Sequence, residues 1–117
     1  MIIKNPVLKK SILSALADEE MTSILDLAIL EPKSVNHIIK ETEISHTSAY
    51  RKIKLLLDKG LLINEKFIIT PDGKKSSLFK SVFKSITIQY NPGNIVIEVK
   101  NNVDIIETTA KKLFSLD

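Results

Sequence analysis

The sequence predicts a mostly helical α+β fold, and three observations carry that expectation. Residues 6–59 show apolar side chains at helical spacing, broken by capping residues and turns. Residues 61–84 change to an extended, Ile-, Leu- and Phe-rich pattern folded about Pro71-Asp72-Gly73. Residues 86–99 form a second extended pair about Asn91-Pro92-Gly93-Asn94.

The first helix is expected from Val7, Leu8, Ile12, Leu13 and Leu16, with Pro6 suited to its opening turn because the missing N–H has no helical partner there. Asp18 is placed to cap a second helix whose inner face is Met21, Ile24, Leu25 and Ala28, ending before Pro32. Ser34 can cap a short third helix burying Val35, Ile38 and Ile39. Glu43-Ile44-Ser45 then makes a turn, Ser45 caps a fourth helix over 46–59, and Gly60 stops it.

The fourth helix divides into two faces. Ala49, Ile53, Leu56 and Leu57 form a stripe for a core. Ser45, His46, Thr47, Ser48, Tyr50, Arg51, Lys52 and Lys54 lie at its N-terminal end or off that stripe, a set of donors, acceptors, an aromatic ring and cations able to read base edges and grip phosphates. Any surface helix is polar outside; what adds weight is the short helix, tight turn and longer helix followed by a lysine-bearing hairpin. Lys66 lies on the outgoing arm, Lys74 and Lys75 at the tip, and Lys80 and Lys84 on the return. That order outlines a winged helix-turn-helix, with residues 1–84 as the DNA-binding domain and 61–84 as the wing. Charged tips also serve simply to keep edge strands soluble.

Residues 85–117 exceed what such a domain needs. Closing the second turn symmetrically pairs Tyr90 with Ile95, Ile88 with Ile97 and Ile86 with Val99, all on one apolar face, while Thr87, Gln89 and Glu98 face the other way. Asn101-Asn102 precedes an expected C-terminal helix with Val103, Ile106, Ala110, Leu113 and Phe114 as its stripe. That stripe could cover the hairpin, the first helix or the same helix of a second copy, and a homodimer through the C-terminal helix and helix one is the expectation. An apolar pocket among these elements would be the place for a small effector, whose identity nothing in the sequence names.

At 117 residues the chain is one ordinary domain with an appended element. Its 44% hydrophobic and 26% charged residues are those of a soluble globular protein. No apolar run approaches the roughly 18–20 residues of a membrane span, and the N-terminus lacks a signal-peptide core, so a cytoplasmic protein without membrane contact is expected. The absence of cysteine removes disulfides and thiolate metal sites. His37 and His46 sit in no cluster of spaced carboxylates, so neither a metal nor another cofactor is expected. No phosphate-cradling glycine loop, nucleophile triad or paired carboxylates can be assembled by spacing, and an enzyme is not expected. Charge is uneven. Ser45–Lys84 holds nine cations and three carboxylates, whereas the other residues hold eight and eleven, so a +6 middle lies between acidic flanks.

The stretches LADEEMTSILDLA (16–28) and SVNHIIKETEISHTSAYRKIKLLLDKGLL (34–62) resemble the ArsR-type winged-helix transcriptional regulators. Such proteins carry a Leu-Ala-Asp opening before the second helix and a Leu-Ser-x-Ser-Thr turn before the recognition helix, which here reads Ile44-Ser45-His46-Thr47-Ser48 and is followed by Arg51, Lys52 and Lys54. The string ITPDGKK (69–75) is also similar to wings of MarR- and PadR-like proteins. The resemblance, over about residues 8–80, implies a homodimeric repressor with two recognition helices in successive major grooves. Many members of the family sense metals through cysteine, histidine and carboxylates; this chain departs from that pattern, and a metal-independent member is implied. Its Ile- and Lys-rich composition points to an archaeal or thermophilic source. The competing expectation is a winged-helix protein-protein interaction module within a larger assembly.

Overall fold

A computed structural model describes residues 1–102; the expected C-terminal helix lies outside the described residues. Four helices come first: α1 (Pro6–Leu16), α2 (Glu19–Leu27), α3 (Val35–Thr42) and α4 (His46–Asp58). Two antiparallel hairpins follow, β1 (Leu62–Ile69) with β2 (Lys75–Ser81), then β3 (Phe83–Asn91) with β4 (Asn94–Asn101).

Each helix begins where a polar side chain can satisfy free backbone N–H groups. The Asn5 carboxamide oxygen accepts from the N–H of Val7 and Leu8 at 2.8 and 3.1 Å, with Pro6 in the first turn. Asp18 accepts from Met21, Ser34 from His37 and Ser45 from Ser48, so all three expected caps are in place. The α3–α4 turn is Glu43-Ile44-Ser45: Glu43 takes a left-handed φ of 61° and Ile44 is buried, pinning the turn to the core. Gly60 adopts φ 78°, a conformation that a residue without Cβ enters at least cost, and the chain leaves α4 there as β1.

The helices bury Ile12, Ala15, Met21, Ile24, Leu25, Ala28, Ile38, Ala49, Ile53 and Leu56 in one continuous cluster. The stripe expected on α1 is shifted: Ile12 and Ala15 are buried, whereas Val7 is 74% and Leu16 38% exposed. Helical spacing locates a face but not how much of it a neighbour covers. Leu57, assigned to the α4 stripe, is only partly buried at its edge.

The wing sheet has a third partner that sequence reasoning did not identify. Lys33, just before α3, exchanges two backbone hydrogen bonds of 2.8 Å with Phe79 of β2. Near this crossing Leu61, Leu62, Phe79 and Ser81 are buried; beyond a bulge between Asn64 and Lys66 the β1 residues face water, so the hairpin projects from the body. In the second sheet Tyr90 pairs with Ile95, Ile88 with Ile97 and Ile86 with Val99, the register that symmetric closure of the Asn-Pro-Gly-Asn turn requires. Ile97 and Val99 enter the main core, while Ile88 and Tyr90 stay exposed at 40% and 74%. The N-terminal residues add to the far edge of β4: Ile3 N–H donates to Ile97, and Val99 N–H to Met1.

Polar pegs tie both hairpins to the C-terminal turn of α2 and the residues just past it, where carbonyls are open to partners from outside the helix. Ser81, itself buried, donates through its hydroxyl to the Leu25 carbonyl at 2.6 Å and through its N–H to Ala28. The Asn102 side-chain amide donates to Ile29 at 2.8 Å and to Ser81 at 3.3 Å.

Candidate nucleic-acid interface

The capped start of α4 and the projecting wing frame one side of the molecule. His46 and Thr47 occupy the exposed opening turn, Ser45 is the exposed cap, and Arg51 and Lys54 lie on the solvent face. Tyr50 is 56% exposed and looks toward the wing, where it lines an open groove with Asn36 of α3, Lys74 and Lys75. Lys66 and Lys74 extend into solvent, and the Lys75 ammonium rests 4.5 Å from the centre of the Phe67 ring. The turn that carries Lys74 is stiffened by Thr70, whose hydroxyl donates to Asp72 and whose backbone pairs with Lys74. Gly73, at φ 82°, permits the reversal.

Two cations counted in the basic middle turn inward. The Lys52 side chain is 11% exposed and lies 2.7 Å from Asp18 Oδ2 and 3.0 Å from Glu20 Oε1. Placed with the groove-facing set from sequence, it instead joins α4 to the start of α2. Sequence could have flagged this, because Lys52 flanks the core stripe and α2 opens with Asp18, Glu19 and Glu20. Lys80 is 2% exposed, and its ammonium approaches the Leu30 carbonyl at 3.4 Å. Its position on the return strand next to the core, rather than at the tip, decides this.

Ser48 is bound as well: its hydroxyl donates to Glu20 Oε1 at 2.8 Å. The hydrogen bond from Lys52, joined by the Ser48 hydroxyl, holds the Glu20 carboxyl below its usual range. Lys52 likewise lowers Asp18, helped by the Met21 N–H at the helix start. The two carboxylates in turn raise Lys52. Arg51, Lys54, Lys66, Lys74 and Lys75 therefore remain exposed cations of α4 and the wing, with Tyr50 in the groove between the two and His46 and Thr47 exposed at the start of the helix.

His37 lies outside this group, 3.7 Å from Glu41 on the exposed side of α3. Among the described residues no cluster of three or more histidine and carboxylate side chains could hold a metal ion, and no helix is long and apolar enough to cross a membrane. A separate apolar groove of about 200 Å³ opens between the α1–α2 pair and the start of β3, lined by Leu16, Leu25, Ile29, Leu61, Phe83 and Ile86.

Element order, tight turn and basic hairpin together define a winged helix-turn-helix. No protein-family model matches the sequence, and no curated protein sequence matches it. Among solved structures the chain is similar to HlyU from Vibrio cholerae N16961, at 14% identity and a TM-score of 0.46, with 96% of this chain and 97% of that chain covered.

Proposed function

We propose that this chain is a sequence-specific DNA-binding transcriptional regulator, a homodimeric repressor of the ArsR-type resemblance acting in the cytoplasm. The observation that carries this reading is the open groove between α4 and the wing, lined by Tyr50, Lys74 and Lys75, on two elements that both carry exposed cations. Arg51, Tyr50 and Lys54 project from one, Lys66, Lys74 and Lys75 from the other, and a groove runs between them. A helix of that width enters a major groove while the flanking hairpin meets the backbone. In this role residues 1–84 bind DNA and residues 85–117 with α1 form the dimer contact. Exposed Val7 and Leu16 on α1 support that contact. The apolar groove beside Leu16 and Phe83 is the place for a small effector.

The test is binding of the full chain to random-sequence duplex DNA at about 50 and about 200 mM salt. Phosphate contacts release counterions, so affinity should fall by orders of magnitude across that range. Absence of binding at the lower salt would sink the proposal.

One observation favours the interaction-module alternative. Phe67, Ile68 and Ile69 are consecutive on the wing and 54%, 46% and 65% exposed, an apolar run that a protein partner could cover. Association with a partner that barely responds to salt would select it.

A further inference from the structure

Ser48 lies in the first turn of α4, on the flank that faces the start of α2. Its hydroxyl is 2.8 Å from Glu20 Oε1, the oxygen that Lys52 also holds at 3.0 Å. Lys52 is fixed in turn by Asp18 at 2.7 Å, so the whole arrangement is braced from α2. A carboxylate paired with a lysine has no proton to give. The Ser48–Glu20 hydrogen bond therefore runs one way, from hydroxyl to carboxylate.

A serine hydroxyl has one proton and two lone pairs. With the proton committed to Glu20, Ser48 meets any further partner as an acceptor. Beside it stands a second acceptor, the Glu20 carboxylate, whose side chain is 42% exposed. DNA offers this pair few counterparts. Phosphate oxygens, guanine N7 and O6, and thymine O4 all accept; in the major groove only adenine N6 and cytosine N4 donate.

Building on the DNA-binding role above, we propose that Ser48, oriented by Glu20, is a specificity-determining residue that accepts a hydrogen bond from the exocyclic amino group of adenine or cytosine. Every base pair carries one such amino group, so the discrimination is by strand: A·T or C·G is preferred over the same pair reversed. The Glu20 charge acts in the same direction, repelling the oxygen-rich edges of guanine and thymine and the phosphate itself. Within the groove-facing set, Ser48 is thereby given a base-reading role as an acceptor.

The test uses the full-length protein and its Ser48→Ala and Glu20→Gln variants, with folding checked by circular dichroism. A preferred duplex is selected from a random pool with the unaltered protein, and affinities are then measured for every single-pair replacement in it. One position per half-site should prefer A or C over G or T by about fivefold to tenfold. Ser48→Ala should erase that preference and leave the other positions unchanged. Glu20→Gln supplies an amide that can donate to Ser48 and free its proton, so it should admit G and T at the same position. A Ser48→Ala profile identical to the unaltered one at every position overturns the assignment, as does a Ser48-dependent position that favours G or T. If the unaltered protein binds no duplex at low salt, the DNA-binding role falls and the assignment with it. Steeply salt-dependent binding with a profile indifferent to Ser48 overturns the base assignment alone.

Discussion

Lys52 shows how one side chain can change roles once its neighbours are known. On a bare helix it would be a phosphate contact; beside Asp18 and Glu20 it becomes the brace that holds α4 against α2. Lys52→Met should lower the melting temperature at neutral pH, because two carboxylates lose their cation. The pH dependence has a definite sign. Asp18 and Glu20 have folded-state pKa values below their ordinary 3.8 and 4.5, so their contribution is present above those values and lost as pH falls through the lowered ones. The gap between the two proteins in thermal melts should therefore be wide at pH 7, begin to close near about pH 4 and go on closing as the pH falls further. A gap that stays constant into acid would rule out the brace. Arg51, exposed and outside the brace, should behave differently. Arg51→Ala should leave the melt unchanged but cost roughly 1–3 kcal/mol of binding to a selected duplex if it pairs with a guanine. Equal affinity of both proteins for that duplex would remove Arg51 from base reading.

Elements set where these side chains stand. Two residues past α4, the backbone takes φ 78° at Gly60, and no atom lies within 4 Å of where a Cβ there would be. Gly60→Ala therefore meets no clash and costs only the left-handed conformation, about 1 kcal/mol in urea unfolding. A loss several times larger would mean that the β1 start had shifted. The wing is expected to act through charge rather than shape. If Lys74 and Lys75 each neutralise one phosphate, replacing both with alanine should reduce the slope of log affinity against log salt by about 1.8 and weaken all sequences alike. An unchanged slope would place the wing tip away from the DNA backbone. The bulge after Asn64 matters here because it directs the lysine-bearing half of the hairpin away from the core.

At the scale of the molecule, the second hairpin is part of the same core as the helices. Ile97 is fully buried in that cluster, and Asn102 ties the strand exit to α2 and to β2. Ile97→Ala should cost about 2–5 kcal/mol, the range for a large-to-small change in a packed interior. A loss below about 1 kcal/mol would show the hairpin to be loosely docked.

Much of this was legible locally. Asp18, Ser34 and Ser45 cap helices because a short side-chain acceptor reaches a free N–H within its own turn. The Asn-Pro-Gly-Asn turn carries its own register, so the pairing of Ile86 with Val99 follows once the turn is recognised. Contacts between segments distant in sequence were not legible. Nothing near Lys33 or Ile3 announces that each will extend a sheet, because backbone hydrogen bonding uses groups that every residue shares. The sequence by itself determined the four helices, the two turns, the apolar register of the second hairpin and the cations of α4 and the wing. Only the tertiary structure decided which cations remain outward and that Ser48 donates to Glu20, because a charge's partner is set by proximity in space, over 28 residues of chain in that case.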